Sequence, residues 1–556
     1  MRNFILFCNN DICAATTPLG LVAVTPLLEG SEDDMENSVH QRRPSVHVIG
    51  EKYQRPLADG SQVSFGRGSP LGRLKNAVSK VLRNVTLEPM LFMKMLAESN
   101  AGVVADTLEI DRVCRVNLNY TEEECRNMDD GNHTRIQTEV QKYQNTFNYY
   151  QNLMDSILPL IIVVLIGSLT DKYGRKPPML GVLAGFVGWS VVYILTALNP
   201  SWPVEVLLGA TLCGDIMGTW VVFNMAVYSY MADITTPETR TKRMGFLDVV
   251  WYIGGPLGRL MGGWLYQWTN CIVVFSVSGA LWALCFFYVL FLVKESVDTS
   301  SRSSDPEDER CSNWGPLKPV VILFNTGFKK RPGNRRSVLF YLLMLKLMVF
   351  LIQGHQMYLW ARRVLQWGAT EFSTWSSIDS TVHMLGTVVW LLIASHFKLH
   401  ETIIAIGGIM SQGLWCGVLA CITGPGLWWL VIVASVIGMF EETIEPAIRT
   451  MLTVVVDENE KGKILALNGL LESAWLAVDR SMYTALYNTF VEVFPQINFV
   501  VQVGICVVLV LVFLYLYILF RRQPLTAPST ENFQNIVDTD ACETVEEQGD
   551  GRTGVY

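Results

Sequence analysis

Long apolar segments recur along the chain, and they constrain the fold more than any other feature. A helix needs about 20 mostly apolar residues to cross the hydrocarbon core of a bilayer. Twelve segments approach or exceed that length, in two groups of six separated by a polar stretch from Lys294 to Arg336. The first group is 85–104, 152–170, 177–198, 205–231, 244–266 and 271–293, and the second is 337–358, 374–395, 402–422, 427–455, 464–488 and 497–520. The pattern predicts an all-α integral membrane protein with 12 transmembrane helices in two six-helix bundles.

The composition agrees with a multi-pass membrane protein and argues against several other classes. Hydrophobic residues make up 50% of the chain and charged residues 17%, whereas soluble proteins carry about 25% charged residues. A net charge of −8 provides no basic field for nucleic acid, and the 12 cysteines show no repeating spacing typical of a disulfide scaffold. The sequence contains no nucleotide-binding loop, nucleophile elbow or metal-ligand set. We therefore expect no enzyme, no cofactor and no metal site.

The first apolar segment is the least certain span. Its sequence VTLEPMLFMKMLAESN carries Glu88, Lys94 and Glu98. The alternative is an amphipathic helix on the membrane surface, which would leave eleven spans.

Basic residues in the short loops predict the orientation, because cytoplasmic loops carry an excess of Lys and Arg. Both termini and the central loop 294–336 are then cytoplasmic, the bundles are 85–293 and 337–520, and the tails 1–84 and 521–556 are disordered. We expect the plasma membrane rather than an endolysosomal membrane. The basic residues are Lys172, Arg175, Lys176, Arg240, Lys242, Arg243, Lys461, Lys463, Arg521 and Arg522.

The long loop 105–151 is predicted to be extracellular. It contains two acceptor sequons for N-glycosylation, Asn119-Tyr-Thr121 and Asn132-His-Thr134, and two cysteines, Cys114 and Cys125. Two sequons beside a cysteine pair are typical of an oxidising, glycosylating compartment. We predict a disulfide between Cys114 and Cys125, and the alternative is two free thiols.

The loop between the second and third spans contains the most specific short motif. Residues Gly167-Ser-Leu-Thr-Asp171-Lys172-Tyr-Gly174-Arg175-Lys176 resemble the loop signature of the major facilitator superfamily, and they occupy the same place in a layout of six plus six spans. The resemblance implies two bundles built from inverted repeats, with a substrate site near the midplane and alternating access. The corresponding loop of the second half, HFKLHE, lacks the pattern.

The motif predicts a cytoplasmic gate formed by Gly167, Asp171, Gly174, Arg175 and Asp233. Gly167 allows a neighbouring helix to approach closely and Gly174 permits a tight turn. Asp171 is expected to face the positive N-terminus of the eleventh span, and Arg175 to pair with Asp233 at the end of span four.

Within that superfamily the chain resembles solute carrier family 46, the group of the proton-coupled folate transporter. The resemblance rests on residues 228–266, on EPAIRTMLTVVV at 445–456 and on the long first outward loop. It implies that Asp248, which replaces a glutamate, takes part in proton coupling, and that Arg449 contacts proton and substrate. His355 lies four residues from the position expected for a histidine of span seven. It is a second candidate for substrate binding.

Other charged residues inside the predicted spans are functional candidates, because a charge in the membrane is costly. Glu445 and Arg449 are four residues apart on one helical face, and Glu472 reaches a similar depth. We predict that Glu445 and Glu472 join Asp248 in proton coupling. Asp215 and Arg259 are expected to pair in the outer half of the membrane.

These observations predict a secondary active transporter of an organic anion, folate-like or a related conjugate, in symport with protons. Its partners are the small organic anion, protons and the lipid bilayer, and no nucleic acid. The sequence leaves the oligomeric state open. The alternative is a transport-silent family member that acts as a membrane receptor or scaffold.

Overall fold

The computed structural model describes residues 86–129, 134–296, 318–329, 331, 335–353, 356–457 and 460–522. Side chains of 163–173, 237–238, 240–242, 318–320 and 520–522 are outside this description. The predicted tail 1–84, the first half of the central loop and the C-terminal tail beyond Arg522 also lie outside it.

The described residues of the first half form eight helices joined by short turns. A π-helical turn at Val113–Asn117 follows α1, and a 3-10 turn at Val204–Val206 precedes α5. The helices are α1 Glu88–Arg112, α2 Glu122–Arg126, α3 Thr134–Tyr173, α4 Lys176–Leu198, α5 Leu207–Asp215, α6 Thr219–Ile234, α7 Pro237–Trp268 and α8 Cys271–Leu292.

The described residues of the second half form nine further helices. Short π or 3-10 turns at Ala361–Leu365, Pro425–Leu427 and Glu441–Thr443 separate some of them. The helices are α9 Lys318–Phe328, α10 Arg335–Phe350, α11 Met357–Trp360, α12 Ala369–His396, α13 Glu401–Ala420, α14 Trp429–Ile437, α15 Ile444–Val455, α16 Lys461–Phe490 and α17 Ile497–Arg522.

Each predicted apolar segment coincides with one helix or with a series of short helices. By length and composition, six helical segments of the described chain are apolar enough to cross a membrane. They are Lys176–Leu198, Val204–Ile234, Cys271–Leu292, Ala369–His396, Glu401–Ala420 and Ile497–Leu519.

The segment 105–151, predicted as a loop, is mostly helical. α1 continues to Arg112 and α3 begins at Thr134. Hydropathy misses the first half of α3 because that half is polar, yet it packs through Val140 and Phe147, which are 0% and 4% exposed. Its amides are buried as well, so the helix is stabilised by contacts that a polar sequence does not reveal.

Gly254, Gly258 and Gly262 of α7 fall at four-residue spacing and form a glycine stripe, for which the sequence allows either close helix packing or a hinge. A Cβ atom at Gly258 would lie 2.5 Å from the carbonyl oxygen of Leu96, and one at Gly262 would overlap the carbonyl oxygen of Asn100. Small residues let helix backbones approach each other in this way. Of the two roles open to the stripe, packing or a hinge, the contacts with α1 support packing.

Polar contacts join the two halves at the end that carries the Cys114–Cys125 disulfide, which we call the disulfide end. They connect α1, α3 and the turn after α2 with residues beyond α10. The contacts are Arg362 with Asp129 at 2.7 Å, Lys142 with Glu492 at 2.6 Å, and Thr107 Oγ1 with Tyr358 OH at 2.9 Å. The halves are therefore in contact at the disulfide end in this conformation.

Candidate transport site

A cluster of charged side chains lies between α10, α15 and α16. Glu445 Oε1 is 2.8 Å from Arg449 Nη2 on the same face of α15 and 3.0 Å from Lys346 Nζ of α10. Lys346 Nζ is also 3.2 Å from Glu472 Oε1, and Asn468 Nδ2 donates to the same oxygen at 2.6 Å. Two cations and two acids thus meet inside one half of the protein.

Asp248 of α7 faces this cluster from the first half. It is 3% exposed, and the charge of Arg449 acts on it. Tyr228 OH donates to Asp248 Oδ1 at 2.5 Å. The sequence also allows Asp248 to pair with Arg243 or Lys242 at the membrane edge. Arg243 Nη1 lies 3.5 Å from Glu88 Oε1, and the side chain of Lys242 is outside the described part of the structure. The charge of Arg449, in the second half, therefore acts on Asp248 in the first half.

The sequence marks Lys346 as one of the charged residues inside the predicted spans but assigns it no role. It is 1% exposed and stands alone in the apolar run LLMLKLMVF. That isolation was the available signal, because a single buried lysine in an apolar helix requires acidic partners. His355 lies outside the described residues, so its place relative to the cluster stays a prediction.

A second polar cluster connects α12 with the turn before α15. His383 is 3% exposed, its Nδ1 is 2.8 Å from Glu441 Oε1 and its Nε2 is 3.6 Å from Asp379 Oδ1. Ser435 Oγ donates to Asp379 Oδ1 at 2.6 Å. An imidazole held between two carboxylates can take up and release a proton.

The predicted pair of Asp215 and Arg259 is wrong. Arg259 Nη2 donates to Ser380 of α12, and the charge of Asp379 acts on it. The charge of Asp155 in α3 instead acts on Asp215. The sequence fixes the depth of a residue along its helix but leaves open which neighbour the helix turns it towards.

The turn between α3 and α4 has the geometry that its glycine requires. Gly174 has φ +100°, in the left-handed region that favours glycine. Arg175 Nε donates to Asp233 Oδ2 at 3.2 Å, and Ser296 Oγ donates to the same oxygen at 3.0 Å. Arg175 and Asp233 are therefore partners in this structure, both within the first half.

Glu295, just after α8, is an additional acid at this turn. The backbone N–H groups of Arg175 and Lys176 donate to its two carboxylate oxygens at 2.8 and 3.1 Å. A carboxylate that accepts the first amides of a helix satisfies donors without intrahelical partners. Gly167 and Asp171 lie in the last turns of α3, where the side chains are outside the described part of the structure.

At the same end, Glu460 holds the loop after α9 against the start of α16. Lys329 Nζ lies 2.6 Å from its Oε1, and Arg331 Nη2 lies 2.9 Å from its Oε2. Burial alone would raise the pKa of Glu460, but the hydrogen bonds and charges of Lys329 and Arg331 outweigh it and lower the pKa. The loop is therefore fixed by an ionised carboxylate.

The disulfide end contains the predicted bridge and one described sequon. Cys114 and Cys125 form a disulfide with their Cα atoms 5.9 Å apart. Asn119 is exposed, and Thr121 caps α2 through a hydrogen bond from Glu124 N at 3.3 Å. Asn132 lies outside the described residues.

Two helical halves that carry buried charged side chains are typical of membrane transporters. Residues 153–478 match the family model of the Major Facilitator Superfamily. The chain belongs to this superfamily.

The sequence of the chain is similar to those of members of solute carrier family 46. It is 26% identical over 479 residues to the probable peptidoglycan muropeptide transporter of Drosophila melanogaster, covering 82% of this chain and 89% of the relative. It is 23% identical over 436 residues to the lysosomal proton-coupled steroid conjugate and bile acid symporter of Homo sapiens, and the match covers 75% of this chain and 91% of the relative.

Solved transporters share the fold at low sequence identity. A peptide transporter in complex with sulfate superposes with a TM-score of 0.57 at 13% identity, covering 79% of this chain and 95% of that chain. A human organic anion transporter gives a TM-score of 0.52 at 14% identity, and the match covers 77% of this chain and 98% of that chain. These similarities support the all-helical transporter fold.

Proposed function

We propose that the chain is a secondary active transporter that carries an organic anion together with protons by alternating access. In this proposal twelve helices cross the membrane, both termini are cytoplasmic, and the disulfide end is extracellular. Asn119 and Asn132 are the proposed glycosylation sites there. We propose the plasma membrane as its location.

The observation that carries the proposal is the electrostatic effect of Arg449, in the second half, on the buried Asp248 of the first half. Asp248 belongs to α7, whereas Arg449, Glu445 and Lys346 belong to the second half. When the halves move relative to each other, the distance between Asp248 and Arg449 changes, and so does the cost of leaving Asp248 ionised. Binding of a proton to Asp248 is thereby linked to the conformation of the carrier.

Arg449 and Lys346 supply the positive charge for an anionic substrate. Lys346 is 1% exposed and both cations share Glu445, so an incoming anion has to replace a carboxylate as their partner. Protonation of Glu445 or Glu472 releases the cations for that exchange. Proton binding and anion binding then favour each other, which is the linkage that symport requires. His355 is proposed as a further substrate contact.

The names of the relatives suggest the substrate class. Muropeptides, bile acids and steroid conjugates are bulky amphipathic molecules, and their anionic groups match the cations of the cluster. We propose an organic anion of this kind as the substrate.

Uptake into proteoliposomes tests the proposal with two labelled probes, muramyl dipeptide and taurocholate. With an acidic exterior, the wild-type protein should accumulate at least one probe against its gradient. Asp248→Asn mimics the protonated acid, so accumulation should be lost while exchange of labelled for unlabelled probe persists. Asp248→Glu should retain part of the coupled uptake. Glu122→Gln, an exposed acid near the disulfide, is the matched control and should behave as wild type.

Two results would contradict the proposal. Equal loss of uptake and exchange in a folded Asp248→Asn variant would remove the coupling role. Absence of uptake and exchange for anionic probes of every class, in protein that binds them, would favour a receptor or scaffold.

A further inference from the structure

A cavity of about 410 Å³ in the first half is separate from the Asp248 cluster. Its walls come from α1, α3, α4, α5, α6 and α8, with Arg480 of α16 at one side. Asp248 and Arg449 are not among its lining residues. Five acids line it: Glu98, Asp106, Glu109, Asp155 and Asp215.

More acidic than basic side chains line the cavity. Of the described residues that line it, Arg480 is the one with a cationic side chain, and its charge acts on Asp155. Lys94, behind the wall, pairs with Glu98. Asp155 and Asp215 act on each other electrostatically. Asp106 and Glu109 remain without a cationic partner among the residues of the described structure.

Buried polar atoms in the wall lack partners of the kind that a ligand supplies. Asp215 is 1% exposed, and its Oδ2 has no hydrogen-bond partner within the described chain. The same holds for the indole N–H of Trp282, which is 2% exposed. Buried polar atoms are nearly always hydrogen-bonded. The carboxylate oxygen of Asp215 needs a hydrogen-bond donor and the indole N–H of Trp282 needs an acceptor, so the two atoms indicate a ligand that offers both.

Aromatic rings form the rest of the wall. Trp189 stacks on Tyr193 with ring centroids 3.9 Å apart and meets the edge of Trp282 at 5.7 Å. Phe186 stacks on Trp282 at 5.4 Å. Tyr193 OH donates to Glu109 Oε1 at 2.8 Å, so one ring is fixed to one of the acids. Aromatic faces attract organic cations, most strongly where water is excluded.

We propose that this cavity binds the protonated amine of an organic ligand. The ammonium group donates to Asp215 Oδ2, its charge is balanced by Asp106 and Glu109, and its carbon skeleton packs on Trp189 and Trp282. A hydroxyl or carbonyl of the ligand accepts the indole N–H of Trp282. The inference does not depend on anion transport. A zwitterionic substrate could place its cationic end here, and so could a separate amine.

Phenethylamine is a suitable probe, because it combines an ammonium group with an aromatic ring. N-acetylphenethylamine has the same ring and chain but no positive charge. Binding of both to the purified full-length protein in detergent is measured by calorimetry and by tryptophan fluorescence. The amine should bind about tenfold or more tightly than its acetylated analogue, since a charge-assisted hydrogen bond and a cation–π contact are lost.

Substitutions in the wall locate the site. Asp215→Asn should weaken phenethylamine binding about tenfold, and Glu109→Gln should weaken it as well. If one variant fails to fold, as judged by its melting temperature, the other carries the test. Glu122→Gln is the matched control at an exposed acid and should bind as wild type.

Three results would overturn the inference. The first is equal affinity for the amine and its acetylated analogue. The second is unchanged binding in folded Asp215→Asn and Glu109→Gln variants. The third is a pH-dependent fluorescence change with no amine binding at millimolar concentration, which would make the cavity a store of protons. Retained amine binding in a protein that transports no anion would support this inference while contradicting the proposed function.

Discussion

Removing the ion pair between Asp129 and Arg362 should shift the carrier towards the conformation that is open at the disulfide end. Arg362 donates to Asp129 Oδ2 through Nε at 2.9 Å and Nη2 at 2.7 Å. The two side chains are 13% and 26% exposed, so solvent screens the pair only in part. Asp129 precedes α3 and Arg362 follows α11, so the pair joins the two halves. It can form only while they are in contact there.

The magnitude follows from the number and kind of these bonds. A hydrogen bond to a charged group contributes about 1.5 to 3 kcal/mol when partly buried, and exposed pairs contribute less. Asp129→Asn keeps the shape but removes the charge, so the closed conformation should lose about 1.5 kcal/mol. Every 1.4 kcal/mol is a factor of about ten in an equilibrium constant. The ratio of open to closed molecules should therefore rise about tenfold.

Spin-label distances across the disulfide end measure this ratio. Labels at Arg135→Cys and Val493→Cys, which are 90% and 86% exposed, report on the first and second halves. The free cysteines are replaced beforehand, and the Cys114–Cys125 bridge is kept. Asp129→Asn should enlarge the population at long distance.

Glu122→Gln is the control for this experiment. It removes a charge at the same end, but its partners Arg126 and Arg115, at 3.2 and 3.5 Å, belong to the first half. Its distance distribution should match that of the wild type. An unchanged distribution in a folded Asp129→Asn variant would refute the reasoning, because the pair would then contribute nothing to closure.

Four further changes test other parts of the structure. Asp233→Asn removes the partner of the loop arginine, so Thr170→Cys should be labelled about two to five times faster from the cytoplasmic side; an unchanged rate would leave the motif with a topological role. Gly262→Val forces α7 away from α1, and the melting temperature of the purified protein should fall sharply, by an overpacking cost of about 3 kcal/mol; an unchanged melting temperature would contradict the close packing. Cys125→Ser opens the disulfide, whose loop closure contributes about 2 to 4 kcal/mol, so it should lower the melting temperature under oxidising conditions and leave it unchanged in strong reductant. Asn119→Gln should increase mobility on a gel by one glycan in cells that glycosylate, and no shift would exclude that sequon.

Several local features were predictable from the sequence. Apolar length located the helices, because a segment that crosses a membrane must satisfy its backbone hydrogen bonds internally and carries its own hydropathy signal. The loop motif indicated the superfamily, and the spacing of Glu445 and Arg449 placed them on one helical face. Each of these signals is contained in a single stretch of chain.

Contacts between distant helices were decided by the tertiary structure. Lys346 joins the acids of α15 and α16, Glu295 caps the start of α4, and Arg259 turns to Ser380 rather than to Asp215. Hydropathy sets how deep a residue lies, but the rotation of a helix about its axis depends on how it packs against its neighbours. For the same reason the polar first half of α3 was missed, since its helical order comes from the surfaces it contacts. The sequence by itself therefore determined where the apolar helices lie and to which superfamily the chain belongs, whereas packing decided that the polar half of α3 is helical and which charges meet.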